Sequence, residues 1–290
     1  MTTLLLDYNN LLSRIFFIGP VNAKSENPDF NRMRFTAIDS IYRSLLKTKS
    51  NEVILAVDSS PSWRKEIWPR YKESRKGKRE KLDTINWDVY FIEFHRLLKD
   101  IIEFLPFKVI KIENAEADDI IGVIAQNFSK QFVIISTDKD YLQLSSKNVK
   151  IYHPLRRQYI EESDPEKFLI KQCIMGQAKD DIFNVLTPLD FNGKRKPGIG
   201  EEKVEKIISN GYENWLLSEN AVSHFELNRK LIDFKMIPQK IQKKIIKKYK
   251  EYKLPRLDHA YDFFKENNFL PYLENYHKVE DNLSRLYEEV

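Results

Sequence analysis

Short apolar runs followed by acidic residues constrain the fold of this chain more than any other feature of its sequence. Runs of strand length occur at 3–6, 53–57, 109–112 and 132–135. The acids that follow them are Asp7, Asp58, Glu116 with Asp118, and Asp138 with Asp140. Between the runs, apolar residues recur at helical spacing, so strands alternate with helices. This alternation predicts an α/β fold with a central, mainly parallel sheet flanked by helices.

The position of these acids predicts a metal site. The carboxyl ends of parallel strands lie at one open edge of such a sheet, where ligands bind. Carboxylates that meet there raise one another's pKa, and they stay ionised most easily when a cation lies among them. Oxygen ligands alone favour a hard ion such as Mg²⁺ or Mn²⁺ over zinc.

Each acid taken singly also has a structural explanation. An aspartate after a strand is often a turn residue or a helix N-cap, and Asp118 or Asp119 could be caps. Residues 8–10, after the first run, likewise have the character of a turn. Acids at four successive strand ends, with none inside the strands, favour metal binding for the set as a whole. For each of these acids taken singly, a role as a turn residue or helix cap remains an alternative.

Charge and cysteine content narrow the class of protein. The 290 residues are 31% charged, with a net charge of +5, and basic residues cluster at 64–81 and 230–253. Such segregated positive charge favours a polyanionic partner. The single cysteine, Cys173, excludes a disulfide framework and suits a reducing cytoplasm. No apolar run is long enough to span a bilayer, so we expect a cytoplasmic protein with no membrane partner.

Aromatic and basic side chains are interleaved in the stretch 59–87. Its members include Trp63, Arg64, Lys65, Trp68, Arg70, Tyr71, Lys72 and Arg75. This combination suits single-stranded nucleic acid, because bases stack on rings while cations meet phosphates. The alternative is a solvated charged run whose aromatic residues pack on the core. The stretch follows Asp58 directly and would overhang the acidic edge, which favours the nucleic-acid interpretation.

The second half of the chain has a helical pattern. We therefore expect an α/β part at 1–163 and a helical part at 164–290. In the helical part a glycine turn, Gly198 and Gly200, opens a helix that contains Lys203, and Lys194 and Lys196 lie just before it. Backbone N–H groups at such a turn can bind a phosphate, although a plain loop is the default. A lysine series at 240–248 also has helical spacing, and we expect it to form a solvated face.

These motifs resemble those of the flap endonuclease and 5'-nuclease family, and within it the ribonuclease H type of T-even phages. The resemblance covers nearly the whole chain. The strongest motifs are Leu6-Asp7, Ala56-Val57-Asp58, Arg70-Tyr71-Lys72-Glu73-Ser74-Arg75, Glu116-Ala117-Asp118-Asp119 and Ser136-Thr137-Asp138-Lys139-Asp140. The resemblance implies a PIN-like nuclease core, a basic arch at about 62–86 and a helix-hairpin-helix-like element at the glycine turn.

The resemblance also implies a metal site made by particular residues. A first Mg²⁺ would be held by Asp7, Asp58, Glu116, Asp118 and Asp138, and a second by Asp140 and Asp180. Mn²⁺ could substitute for Mg²⁺, and K⁺ could bind at the helix-hairpin-helix-like turn. Two ions about 4 Å apart would activate water for in-line attack on a phosphodiester.

Nucleic-acid contacts are implied in the same way. Lys72 or Arg75 would meet the scissile phosphate at the base of the arch, beside Arg70 and Tyr71. The duplex would be held by Lys194, Lys196, Gly198, Gly200 and Lys203. The expected substrates are RNA–DNA hybrids and branched or 5'-ended DNA, cut by a monomer in the cytoplasm of the host if a phage encodes the chain.

Protein partners are implied as well. The resemblance suggests a single-strand-binding protein and a sliding clamp. The first predicted strand begins at Thr3, so we do not expect a clamp contact through an N-terminal extension of the T-even phage kind.

One departure from the family pattern concerns the second ion. Gln177 stands where the family has an acid, and a neutral amide should hold the ion or its waters less firmly. We hypothesise that Asp181 compensates in part. A non-catalytic or weakly active protein that binds branched DNA is the alternative, although retention of Asp138, Asp140 and Asp180 favours an enzyme. A phosphatase with an aspartyl nucleophile is disfavoured, because Asn9 replaces the second acid typical of that class.

Overall fold

The computed structural model describes residues 1–18, 28–75, 77, 86–191 and 198–288. Its strands are β1 (Thr2–Asp7), β2 (Glu52–Val57), β3 (Lys108–Lys111), β4 (Gln131–Ile135), β5 (Val149–His153) and β6 (Gln158–Ile160). They form one six-stranded sheet in the order β3-β2-β1-β4-β5-β6. The pairs among β1 to β5 are parallel, and β6 pairs antiparallel with β5. The predicted α/β fold with a mainly parallel sheet is confirmed.

Helices cover both faces of the sheet, and the described chain after β6 is mainly helical. In chain order they are α1 (Tyr8–Ile18), α2 (Phe30–Thr48), α3 (Arg64–Ile67), α4 (Trp87–Phe104), α5 (Ala117–Asn127), α6 (Pro165–Met175), α7 (Glu201–Ser209), α8 (Tyr212–Ser218), α9 (Val222–Ile232), α10 (Gln239–Lys250), α11 (His259–Glu266), α12 (Leu270–Leu273) and α13 (Tyr276–Ser284). Short 3₁₀ turns lie at Lys139–Leu144, Ala178–Asp180 and Phe234–Met236.

Apolar cores lie on both faces of the sheet. Leu4 and Leu6 point to one face and Leu5 to the other, as the two-residue period of a strand requires. The first core takes in α1, α2 and α4 together with α11 to α13, and the second takes in α5 and α10. The last helices therefore return to the sheet. The domain boundary at residue 164 stays a prediction.

A third apolar cluster joins the stretch after Asp58 to the helical part. Trp68 and Tyr71 pack there with Cys173 of α6, Val204 of α7 and Phe225 of α9. The stretch 59–87, called the arch stretch below, is thus anchored through the side chains of Trp68 and Tyr71. Residues 76 and 78–85 of that stretch lie outside the described part of the chain.

The turn expected at residues 8–10 is wrong, because α1 begins at Tyr8, directly after β1. Oδ1 of Asp7 accepts the N–H of Asn10 at 2.9 Å and so caps the first turn of the helix. Leu11 and Leu12 are buried in the core. Burial of this apolar face outweighs the turn preference of the first residues.

Two glycines allow close approaches that shape the region of the strand ends. A Cβ atom on Gly122 of α5 would lie 2.8 Å from Cγ of Phe234, so the helix packs tightly on the 3₁₀ turn that follows α9. Gly176 ends α6 with a φ of +65°, and a Cβ there would lie 2.5 Å from the backbone of Ile182. The second glycine lets the chain fold back so that residues 177–181 reach the sheet.

A buried ion network ties the opposite end of the sheet to α10. Oε1 of Glu52 pairs with Lys108 at 2.7 Å. Its Oε2 accepts hydrogen bonds from Thr3 at 2.7 Å and Tyr249 at 2.9 Å, and Lys130 lies at 3.2 Å. Burial alone would raise the pKa of Glu52, but these partners outweigh it and lower the pKa.

Glu52→Gln should destabilise the protein by about 3 kcal/mol at pH 7, since it leaves two lysines without their buried partner. A lowered folded-state pKa contributes stability above the unfolded pKa, and this stability is lost as the pH falls through the folded value. The gap in free energy of unfolding between wild type and variant should therefore shrink below about pH 4.3. Urea titrations from pH 7 to pH 3 measure it, with exposed Glu66→Gln as the control. A gap independent of pH would contradict this role.

Candidate active site

Neighbouring strand ends bring the acids to one edge of the sheet. In the register of β1 with β2, Asp7 lies opposite Ala56, and in that of β1 with β4, Leu6 lies opposite Ile135. Asp7 therefore sits between the loops that follow β2 and β4. A cleft of about 420 Å³ at this edge is lined by the acids Asp7, Asp58, Glu116, Asp118 and Asp138. Their metal-binding role stays a prediction, but their meeting in one cleft is a fact of the fold.

Several of these acids also cap a turn or a helix. Oδ1 of Asp58 accepts the N–H of Ala117, the first residue of α5, at 2.7 Å. Oδ1 of Asp138 accepts the N–H of Asp140 at 3.0 Å, as Oδ1 of Asp7 does for Asn10. These bonds fix the direction of each side chain through one oxygen. Capping and cleft lining are therefore compatible at the same residue.

Asp119, in contrast, has a structural role. It is fully buried and forms a capping box with Glu116 at the start of α5. Its Oδ2 accepts the indole N–H of Trp63 at 3.0 Å, and its Oδ1 lies 2.8 Å from the guanidinium of Arg64. Its neighbour Asp118 faces the cleft. The two consecutive acids thus divide the structural and the site roles between them.

Arg64, which the sequence suggested as a cation for phosphate contact, is instead buried against the acids next to the cleft. Its side chain is 2% exposed, and its guanidinium lies 3.1 Å from Glu116 and 3.9 Å from Asp118 in addition to its pair with Asp119. Its Nε donates to the carbonyl of Leu231 in α9 at 2.7 Å. A buried arginine cannot be told from its exposed neighbours by composition. Only the acidic residues of a distant segment reveal it.

The aromatic side chains of the arch stretch do not form a stacking surface, so that prediction is wrong for them. Trp63, Trp68 and Tyr71 are 4%, 8% and 2% exposed. The hydroxyl of Tyr71 donates to Oε2 of Glu116 at 2.7 Å, and the indole of Trp68 donates to the carbonyl of Asp181 at 2.9 Å. The alternative, aromatics packed on the core, is the one that holds.

Lys72 and Arg75 reach the cleft from the base of the arch. The ammonium of Lys72 pairs with Oε1 of Glu116, and its backbone N–H donates to the carbonyl of Asp180 at 3.0 Å. Arg75 pairs with Oδ1 of Asp180 and is 46% exposed. Both cations line the cleft beside the acids.

The compensation hypothesised for Asp181 does not match its position. Its Oδ2 accepts the backbone N–H of Ser74 at 2.8 Å, so the carboxylate caps the arch base. Gln177 is the residue that meets the acids: its Nε2 donates to Oδ1 of Asp140 at 2.9 Å. The neutral amide therefore contributes a donor where an acid would contribute negative charge.

Burial and like charges oppose ionisation in this cleft. Burial, followed by Asp58, raises the pKa of Asp7 to about 7. Burial and Asp138 together raise the pKa of Asp140 to about 6. At Glu116, burial alone would raise the pKa, but Lys72 and Arg64 outweigh it and lower the pKa to about 2. Ionisation of Asp7 and Asp140 is thus unfavourable in the metal-free cleft, and a divalent cation among the acids would favour it.

The donor set fits hard divalent ions, although the side chains are turned toward protein cations. Among the described residues, no three acidic, histidine or cysteine side chains enclose a point tightly enough to hold an ion as they stand. Lys72, Arg75 and Lys179 draw the carboxylates toward themselves. The acids of the cleft offer only oxygen donors, and oxygen donors suit Mg²⁺ or Mn²⁺.

The predicted duplex-binding residues are only partly described. Lys194 and Lys196 lie outside the described residues. Gly200 precedes α7, and exposed Lys203 lies in its first turn with Glu201 and Glu202. These two acids disfavour a bare phosphate at that helix end. Gly198 is exposed before the turn.

Arg70 is held by the protein rather than directed to solvent. Its guanidinium donates to the carbonyl of Phe191 at 2.7 Å and lies 4.9 Å from the ring of Phe183. The nucleic-acid contact predicted for Arg70 would have to compete with these bonds.

In the described ranges, no helix combines the length and the apolar character that crossing a bilayer requires.

Two family models match this chain, and together they cover most of its length. The family model described as "5'-3' exonuclease, N-terminal resolvase-like domain" matches residues 2–172. A second model, described as "T4 RNase H, C terminal", matches residues 163–277.

Individual proteins support the same assignment. Ribonuclease H of Enterobacteria phage T4 is 30% identical over 256 residues, which cover 82% of this chain and 84% of that protein. The phage T5 flap endonuclease, solved as a pseudo-enzyme–product complex with DNA and metal ions, superposes with a TM-score of 0.66 at 20% identity, over 87% of this chain and 98% of that one. The zinc-bound T5 5'-exonuclease has a TM-score of 0.64 at 21% identity, over 87% and 99%.

The structural likenesses establish the fold, and the family models and the 30% identity establish the relationship. The chain therefore belongs to the family of 5'-3' exonucleases and flap endonucleases that includes phage T4 ribonuclease H, enzymes that hydrolyse phosphodiester bonds.

Proposed function

We propose that this chain is a Mg²⁺-dependent 5'-nuclease that removes RNA primers and 5' flaps during DNA replication. The observation that carries the proposal is the convergence of acids from separate loops in one cleft, with Lys72 and Arg75 beside them. Similarity to a ribonuclease H supports the RNA primer as one substrate. This role would be carried out in the cytoplasm, which is that of the host if a phage encodes the chain.

Two Mg²⁺ ions are part of the proposal. Asp7, Asp58, Asp118 and Asp138 would hold the first, and Asp140 and Asp180 the second. When bound, the ions supply activation of water and stabilisation of the entering and leaving oxygens. Glu116 already has four protein donors, so we assign it mainly to holding Lys72 in place.

The cations of the chain would act on the substrate phosphate. Arg75 is half-exposed and its guanidinium can turn from Asp180 to a phosphate, whereas Lys72 is held by Glu116 and by its backbone. Cations fixed in advance stabilise charge that develops on the phosphate without reorganising during the reaction. Burial of Tyr71 and Trp68 keeps the base of the arch in position.

Recognition of a 5' end would depend on shape and on the phosphate backbone rather than on base edges. Lys194, Lys196 and Lys203 would add duplex contacts, with K⁺ at the turn of Gly198 and Gly200. The acids at the start of α7 support a cation at that turn. A single-strand-binding protein and a sliding clamp remain proposed partners of a monomeric enzyme.

Asp138→Asn should lower the cleavage rate about 100-fold or more, because it removes a carboxylate of the first proposed ion site that also lies beside Asp140 of the second. The assay uses a 5'-labelled DNA flap and a 5'-labelled RNA primer on DNA, each with Mg²⁺ and with EDTA. Asp281→Asn, an exposed acid in α13, is the matched control.

Four outcomes, three from this assay and one from a binding measurement on the same flap, would count against the proposal. Cleavage that survives EDTA, or an Asp138→Asn variant as active as the control, would sink the metal mechanism. Cutting of the flap but not of the hybrid would remove primer removal from the function. Salt-sensitive binding of the flap without any cutting would favour the non-catalytic alternative.

Gln177→Asp should lower the Mg²⁺ concentration for half-maximal cleavage by about tenfold, because a carboxylate would replace the amide that now donates to Asp140. Gln172→Asp is the control. Gln172 and Gln177 line one cavity next to Asp138 and Asp140, and the two substitutions change the charge by the same amount. Equal Mg²⁺ titrations for the two variants would show that only the overall field of the cleft matters.

A further inference from the structure

An ammonium group lies between two acids assigned to the ion sites. Nζ of Lys179 is 2.7 Å and 2.8 Å from the two oxygens of Asp138 and 2.9 Å from Oδ2 of Asp140. On the other side of Asp140, Gln177 donates to Oδ1. These side chains line a cavity of about 490 Å³ that adjoins the main cleft at Asp138. A protein cation thus bridges one acid assigned to the first ion and one assigned to the second.

Lys179 is placed so that it can leave. Its side chain is 45% exposed and extends from a short 3₁₀ turn, so it can rotate into solvent without opening the core. Lys72 differs in this respect. Its side chain is 18% exposed, lies 4.8 Å from the ring of Tyr71 and pairs with Glu116. The side chain of Lys179 is therefore the more exposed of the two, and that of Lys72 is held by more of its surroundings.

An ammonium and a divalent ion cannot share the carboxylates of Asp138 and Asp140. Both bind the same carboxylate oxygens, and like charges a few ångströms apart repel strongly in a partly buried site. An arriving ion must therefore break the contacts of Lys179 with Asp138 and Asp140. The stability of those contacts is subtracted from the affinity for the ion, and the same contacts hold the two acids together before the ion arrives.

We propose that Lys179 is an internal counter-ion that the second divalent ion displaces, and that it thereby sets the ion concentration at which this site fills. The inference rests on the proposed function for the identity of the ion-binding acids. Lys179 is a positioning residue in this scheme, because it acts through two carboxylates and not on the substrate. Gln177 works in the same direction, since its N–H donor occupies a lone pair of Asp140.

Isothermal titration calorimetry of the full chain with Mn²⁺, without nucleic acid, tests the proposal. Lys179→Met keeps the aliphatic side chain and removes the charge, and we expect it to bind one Mn²⁺ about tenfold more tightly. Lys139→Met is the matched control, because Lys139 is exposed and lines the same cavity. Its affinity should change by about twofold, as screening predicts for an unpaired charge. Lys179→Arg keeps the charge and should retain the wild-type affinity.

Thermal unfolding supplies a second readout. In EDTA, Lys179→Met should lower the Tm by about 2–4 °C, because Asp138 and Asp140 then repel each other. Saturating Mn²⁺ should remove this difference. A Tm lowered equally with and without Mn²⁺ would mean that Lys179 is only structural, and it would overturn the inference. Equal Mn²⁺ affinities for Lys179→Met and Lys139→Met would overturn it too.

Failure of this inference can be told from failure of the proposed function. Metal-dependent cutting of the flap, with Mn²⁺ affinity unchanged by Lys179→Met, would sink the inference and leave the nuclease proposal standing. Tighter Mn²⁺ binding by Lys179→Met, in a chain that cuts neither flap nor hybrid, would support the inference as a statement about ion binding and sink the proposed function.

Discussion

Repulsion among carboxylates at one sheet edge is the constraint on which the rest of the structure depends. Parallel strands end together, so Asp7, Asp58 and Asp138 cannot move apart without breaking the sheet. Cations from other segments pair with the acids of this edge: Arg64 and Lys72 of the arch stretch pair with Glu116, and Lys179 of the loop after α6 pairs with Asp138. Negative charge is thus built in by the strands, and its balance is supplied by segments far away in the chain.

This balance also joins the two parts of the chain. Arg64 links acids of α5 to a carbonyl of α9, and Asp181 accepts a hydrogen bond from the backbone of Ser74 at the arch base. The arch base, the loop after α6 and the sheet edge therefore form one connected polar unit, backed by the apolar cluster around Trp68.

Two kinds of cation have different tasks in this unit. Buried cations such as Arg64 are permanent parts of the fold, because removing one would leave an unpaired buried acid. Half-exposed cations such as Lys179 and Arg75 lie closer to solvent, and in our proposals Lys179 gives up its carboxylates to a divalent ion and Arg75 turns from its carboxylate to a phosphate. Exposure therefore distinguishes the cations that stabilise the fold from the cations to which we assign a role at the site more clearly than residue type does.

The sequence by itself determined the parallel sheet, the limits of most strands and the acids that end them, because burial on both faces leaves continuous apolar runs and strand ends need polar residues. It could not place α1, whose first residues prefer turns, or distinguish buried Trp63 and Arg64 from solvated neighbours. The sequence also suggested that Asp181 compensates for the neutral Gln177 at the second ion site. In the structure Asp181 accepts the backbone N–H of Ser74, and Gln177 is the residue that contacts Asp140. These features depend on which distant segments pack together. Local pattern records the period of a strand or helix, and only tertiary contact decides which charge meets which.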